Sequence, residues 1–264
     1  LSWNISGDAL KKKFKFKICE LINDFAVQIY GIPFLKKNQY STIQNGDQSA
    51  GNNKDLHAIV GAGTGLGIAK GIISGSKVKV FASEGGHVEY SPKSDLEWEL
   101  KNWLKNSLKV ERISCERIIS GTGLSRIAEW RLSKPDAKKH TLQKYVNKLK
   151  ISDNLRKELP QKICDLSNQG DSLMIQVKRI WLDAYASFLG DIALQELCFG
   201  GLWISGGTAP KHFINFKSGL FMKQFFDKGR LKDILKNIPV NVILDEEFGL
   251  YSAACRAKIL SKIE

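Results

Sequence analysis

Apolar positions along the chain fall into two spacings, and each predicts its own kind of element. Short unbroken or alternating apolar runs closed by turn residues read as strands, at 18–22, 56–60, 68–73, 77–81, 202–205 and 240–244. The first of these is expected to be a buried strand that delivers Asn23, Asp24 and Phe25 at its end. Apolar residues that recur every three or four positions read as helices instead. Val177, Ile180, Trp181, Tyr185, Phe188, Leu189 and Ile192 make one broad apolar face over 173–197, and the strand at 202–205 is expected to pack against it. Ser94-Asp95-Leu96-Glu97 is a capping box, and Leu100, Trp103 and Leu104 continue the helix it opens. Ser6 is expected to cap a helix running through Phe16. A helix from about Ala26 is expected to stop before Pro33, and another closes the chain over 247–260. The polar stretch 45–53 carries neither spacing and reads as a loop at a lobe boundary. Strands and helices mixed in this way predict an α/β fold.

The run Gly61-Ala62-Gly63-Thr64-Gly65-Leu66-Gly67 lies between two of the predicted strands. A Rossmann glycine motif would lead into a helix, but Gly71, Gly75 and the β-branched residues here favour a strand, with a third strand after it. The spacing also fails G-x-G-x-x-G because Ile68 follows Gly67, and no Gly-Lys-Ser/Thr is present, so Rossmann and Walker loops are both excluded. An ordinary hairpin would account for the glycines. Four glycines with a threonine would also free backbone N–H groups to wrap an anion, which makes a hairpin-borne phosphate loop the functional reading.

Composition narrows the class. At 264 residues, 43% hydrophobic, 25% charged and 9% aromatic, the chain reads as a folded protein of one large domain or two lobes rather than a disordered one. The formal charge of +13 raises nucleic acid as a partner, but the lysines are spread and interleaved with apolar positions, so a solvated basic surface is expected. No apolar stretch approaches the ~20 residues of a membrane span, and 1–10 lack a signal-peptide layout, so a cytoplasmic protein without a membrane partner is expected. The five cysteines are widely spaced without a C-x-x-C pair and read as reduced, mostly buried thiols. The chain starts at Leu1, with Trp3 in what reads as the middle of a strand-to-helix turn, so it is expected to be cut from something longer.

Four features could carry chemistry: Asn23-Asp24, the 61–67 loop, Glu84-Gly85-Gly86-His87, and Glu116 ahead of Ser120-Gly121-Thr122-Gly123. Taken singly, each has a plainer explanation. Asp24 would serve as a helix cap as readily as a general base. His87 beside a loop would serve packing as readily as a ligand. Cys115 alone does not complete a metal site. A pyranose, however, needs acceptor carboxylates and an imidazole at its hydroxyls, and a site so built rejects an analogue lacking one hydroxyl by ~10⁴-fold or more.

Taken together the features resemble the bacterial glucokinase family over nearly the whole chain. Six motifs occur in order: Leu21-Ile22-Asn23-Asp24-Phe25, the 61–67 loop, Glu84-Gly85-Gly86-His87-Val88, Glu116-Arg117-Ile118-Ile119-Ser120-Gly121, Ile204-Ser205-Gly206-Gly207 with Pro210, and Phe226-Asp227-Lys228-Gly229-Arg230. The resemblance implies an actin/hexokinase-like two-lobe ATPase fold. It implies transfer of the ATP γ-phosphoryl group to the C6 hydroxyl of glucose, with Asp24 taking the proton and Asn23, Glu84, His87 and Glu116 holding the other hydroxyls. Gly61, Gly63, Thr64 and Gly65 would embrace the phosphates, and Gly206 and Gly207 would lie at the adenosine. The implied cofactors are ATP and Mg²⁺, without a dedicated metal cluster, and the implied partners are glucose and ATP, with a homodimer left open. The cysteine-rich zinc motif of the related repressor/ORF/kinase family is missing, which points to the non-zinc branch.

One departure stands out. The family's Gly-Asp-x-Gly-Gly-Thr-Asn-like phosphate loop occurs nowhere in the chain. The expected lobes are therefore a small-lobe remnant at 1–34, a large lobe at 35–244 and a helix at 245–264 returning to the small lobe. The expected chain keeps the base and sugar site with half a phosphate clamp and an unpaired sheet edge at 18–22, so it should be poorly soluble or inactive as a kinase. A sugar-binding or sensing protein without kinase activity stays as the second reading.

Overall fold

The structure, a computed structural model, describes residues 5–47, 54–149 and 153–262. Ser6 caps α1 (Gly7–Phe14), its hydroxyl oxygen accepting from the Ala9 N–H at 3.3 Å. The helix stops before Phe16 because Lys15 turns left-handed at φ 56° and its N–H folds back onto the Lys11 carbonyl. Residues 18–22 are not the expected strand. No described strand pairs with them, and Ile18 and Leu21 are 41% and 53% exposed. An apolar run becomes a strand only where a neighbour completes its backbone hydrogen bonds; here the chain runs irregularly into the turn at Asn23. The helical segment that follows, Ala26–Phe34, is a 3₁₀ helix and contains Pro33 rather than stopping before it.

From there the order is β1 (Tyr40–Gln44), β2 (Leu56–Ala62), β3 (Leu66–Ser74), β4 (Lys77–Ser83), α2 (Asp95–Leu108), α3 (Gly121–Leu132), α4 (Gln143–Leu149) and α5 (Asp153–Asn168). Then come α6 (Ser172–Glu196), β5 (Gly201–Ser205), α7 (Phe213–Phe216), α8 (Gly219–Phe225), α9 (Lys232–Lys236), β6 (Val240–Ile243) and α10 (Phe248–Leu260). The strands form one sheet in the order β1-β6-β5-β2-β3-β4. β5 runs parallel to both β2 and β6, and the outer pairings are antiparallel. β1, which the apolar spacing did not predict, pairs with β6 at the edge. Part of the loop expected at 45–53 lies outside the described residues.

Alternation along the central strands sorts the core onto two faces, as a pleated backbone requires. Ala58, Val60 and Ala62 of β2, with Leu202 and Ile204 of β5 and Val240 and Val242 of β6, pack with the α3, α5 and α6 layer. Ile59, Trp203 and Ile243 point the other way, onto Ala26, Ile29, Ile32 and Phe248. A sheet covered on both sides explains why β5 and β6 are buried at every position. α6 begins at Asp171, whose carboxylate accepts from the Met174 N–H at 2.9 Å, and its Trp181 Nε1 donates to the Ser120 carbonyl at 3.1 Å. That last bond ties the main helical layer to the segment bearing Glu116. Among the described residues no helix is long and apolar enough to cross a membrane.

Candidate active site

Five of the six sequence motifs meet at the carboxyl ends of the parallel strands β2 and β5. β2 and β3 pair down to Ala62↔Leu66, so the glycine-rich stretch is a hairpin tip with Gly63, Thr64 and Gly65 at its apex. The tip is braced from within, the Gly63 N–H donating to the Gly65 carbonyl at 2.8 Å. The Glu116 segment braces it from outside. Gly121 N–H donates to the Gly63 carbonyl at 2.8 Å, and the Thr122 hydroxyl to the Thr64 carbonyl at 3.3 Å. Glu116 Oε2 itself accepts from the Leu66 N–H at 3.1 Å. Ser120 caps α3, accepting from the Gly123 N–H at 2.9 Å, while its hydroxyl donates to the Glu116 carbonyl at 2.8 Å.

Phe25 brings Asp24 to the same place. Its ring lies across β2 and β3 so closely that a Cβ on Gly67 would sit 2.0 Å from it, and one on Gly61 2.4 Å. Only glycine admits that ring. Asp24, one residue earlier, is exposed, and the capping duty that would have explained it falls on its neighbour. Asn23 Oδ1 accepts from the Phe25 and Ala26 N–H groups at 3.0 and 2.9 Å.

β4 delivers the next motif to the other side of the hairpin. Gly85–His87 forms a 3₁₀ turn, and Gly86 rests against the Leu66 carbonyl, where a Cβ would approach to 2.1 Å. Glu84 and His87 face solvent at 84% and 55% side-chain exposure, with His87 Nε2 3.6 Å from Glu84 Oε2. Just beyond, the hydrogen bond and charge of Lys101 hold the Glu89 carboxyl below its usual range, at a contact of 2.8 Å. Burial pushes the Cys115 thiol up to about 12, so it stays protonated at neutral pH.

The second glycine turn closes the arrangement. Gly206, at φ +85°, follows the last residue of β5 and packs on the end of β2, and the Thr208 hydroxyl donates to the Ala62 carbonyl at 2.7 Å. Gly207 is exposed. The sixth motif engages α6 instead: Lys228 Nζ meets Asp191 Oδ1 at 2.6 Å and Ser187 Oγ at 3.3 Å, and Asp227 pairs with Lys93. Two residues that build the site escaped the sequence reading, Thr208 and Gln28. The available signal for Gln28 was a lone amide in the apolar run 26–32.

Among the described residues no group of three or more His, Cys, Asp or Glu side chains could hold a metal ion. The arrangement therefore offers carboxylates, one imidazole and two glycine turns around the mouth of the sheet.

Comparison with known proteins places the chain in a family. The family model described as glucokinase matches residues 1–259. A curated glucokinase from Synechocystis is 37% identical, the match covering 98% of this chain and 74% of the relative. The solved glucokinase from an Antarctic psychrotroph is 27% identical with a TM-score of 0.74, over 96% of this chain and 73% of that one. A ROK family glucokinase from Streptomyces griseus, solved in complex with glucose and AMPPNP, has the same fold at 20% identity and a TM-score of 0.54, over 94% and 70% of the two chains. The sheet is thus that of the actin-like ATPase fold, its hairpin tip and carboxylates lie at its ligand-collecting end, and the chain belongs to the glucokinase family of ATP-dependent hexose kinases.

Proposed function

We propose that Asp24 is the general base of phosphoryl transfer from ATP to glucose. In that step the C6 hydroxyl gives its proton to the Asp24 carboxylate, its oxygen bonds to the γ-phosphorus, and ADP leaves with the electrons of the broken bond. The base contributes ~10² to 10⁴ of the acceleration, and positioning with charge neutralisation contributes most of the rest. The observation that carries this reading is the convergence of Asp24, Glu84, His87, Glu116 and both glycine turns on the carboxyl ends of β2 and β5, where ligands collect in open α/β sheets.

In this reading Glu84 and Glu116 accept from sugar hydroxyls, His87 donates or accepts, and Asn23 uses the amide group that its capping bonds leave over. The triphosphate lies against Gly63, Thr64 and Gly65, and the adenosine against Gly206 and Gly207, whereas Gly61 is a buried β2 residue whose open face the Phe25 ring fills. A Cβ on Gly63 or Gly207 would meet no protein atom within 4 Å, which fits open space for a bulky anion. Mg²⁺ brought in on the triphosphate would neutralise phosphate charge.

The same reading assigns 1–34 to the smaller lobe, 35–244 to the larger, and 245–264 to a helix returning to the smaller. It is supported by the Tyr251 hydroxyl donating to the Phe34 carbonyl at 3.1 Å and by Arg256 pairing with Glu20 at 2.7 Å.

Alanine at Glu84, His87 or Glu116 tests the sugar site. Each is expected to raise the glucose KM about tenfold or more, and the three to be non-additive as members of one network. Unchanged KM values with only a lower Tm would reduce the three to structural residues.

A further inference from the structure

Gln28 is the buried polar residue in a 3₁₀ segment whose Ala26 to Ile32 are otherwise apolar or glycine and tyrosine, and it is 7% exposed. Its side chain reaches in two directions. Oε1 accepts from the Ser205 hydroxyl at 2.6 Å, and Nε2 donates to the Asp24 carbonyl at 3.4 Å. Its backbone is held as well, the N–H donating to the Phe25 carbonyl at 3.1 Å and the carbonyl accepting from the Ser252 hydroxyl of α10 at 3.5 Å.

Ser205 is 3% exposed and is the last residue of β5. It pairs in register with Gly61 and leads directly into Gly206. One amide therefore connects the backbone of the residue read as the base to the strand end that launches the nucleotide turn.

We propose that Gln28 is a positioning residue that fixes the distance between the Asp24 carboxylate and the nucleotide turn at Gly206-Gly207; this rests on the reading of Asp24 as base. A buried amide in an apolar layer is satisfied only while both partners keep their positions, so the bond pair acts as a gauge between them. Small displacements matter here because a misplacement of about 1 Å between reacting groups costs ~10²-fold in rate. A merely space-filling Gln28 would affect stability and leave the chemical step alone.

The test compares Gln28→Met, Gln28→Glu, Ser205→Ala and the Gln28→Met/Ser205→Ala double variant with the parent and with Asp24→Asn, all in a version of the enzyme that carries the family's phosphate loop. Methionine keeps length and bulk but makes neither bond. Glutamate keeps an acceptor for Ser205 and loses the donor to Asp24. The expected result is a kcat about 10- to 100-fold lower for Gln28→Met with glucose KM within about threefold, a smaller loss for Ser205→Ala, and a double variant no worse than Gln28→Met. Amide hydrogen exchange at 24–25 and at 206–207 should quicken together in Gln28→Met, and only the first should quicken in Gln28→Glu. Unchanged kcat with a lower Tm, additive losses, or exchange rising in one segment alone in Gln28→Met would overturn the proposal. If Asp24→Asn retains full turnover, the base reading fails on its own, and the paired exchange still decides whether Gln28 links the two segments.

Discussion

The glycine hairpin and the Asp24 segment face the same site but are built in opposite ways. The hairpin joins two central strands, and Ala58 to Ala62 beneath it are buried in a sheet covered on both faces. Its tip is held by backbone bonds from its own turn and from the Glu116 segment. The chain from Lys11 to Phe25, in contrast, has no buried residue. Its ties include the Phe25 ring, the Asn23 cap, Gln28 and the Arg256–Glu20 pair. The difference teaches that the hairpin proposed to hold phosphate is preorganised by the fold, whereas the residue proposed as base is aimed by individual contacts. Substitutions at those contacts should therefore cost rate out of proportion to stability.

The sharpest way to break the comparison is Gly67→Val. A side chain there collides with the Phe25 ring, and its relief must move Phe25 and with it Asp24. Turnover is expected to fall at least 10²-fold. A variant that keeps its Tm and its turnover would show that Phe25 does not aim the base.

The scaffold side is sharpened by pH. Burial lowers His57, which accepts from Trp203 Nε1 at 3.2 Å, and His212, each to about 4. Both are depressed below the unfolded value of 6.5, so the unfolded chain takes up their protons first. The stability they contribute is complete above pH 6.5 and lost as pH falls towards 4, on the order of 2 kcal/mol each. Urea unfolding at pH 7 and 4.5 should show this loss, and His57→Gln should remove about half of it. An identical pH response in the variant would mean that His57 is not a buried neutral base.

The smallest effect is expected from Arg256→Gln. Its Nε and Nη2 hold Glu20 at 2.7 and 3.0 Å near the surface, so global stability should drop by less than about 1 kcal/mol. Amide exchange over 18–25 should nevertheless quicken. Loss of cooperative unfolding instead would show that this segment is as firmly built as the hairpin.

The comparison also marks where sequence sufficed. β2, β3, β5, β6 and α6 were legible because their apolar spacing follows from the layers packed on the sheet, and the edge strand β4 through its alternation, although none of its residues is buried. The strand expected at 18–22 was not, because an apolar run does not encode whether a neighbour stands beside it. β1 was missed for the converse reason: the half-buried Tyr40-Ser41-Thr42-Ile43-Gln44 is a strand only by pairing with β6. The residues proposed for the site, Asp24, Glu84, His87 and Glu116, were picked out by ordered motifs, whereas the division of labour between Asn23 as cap and Asp24 as exposed carboxylate needed coordinates. Gln28 needed them too, since its partners lie on another strand.

Asp24→Asn tests the central claim most directly. Asparagine keeps the shape and removes the base, so glucose affinity should stay within about tenfold while phosphoryl transfer from ATP to glucose falls ~10²-fold or more. Glucose 6-phosphate formation measured beside glucose binding, in parent and variant of an intact version of the enzyme that carries the family's phosphate loop, gives both numbers. Transfer by the variant at the parent's rate would contradict the account and remove Asp24 from the catalytic step.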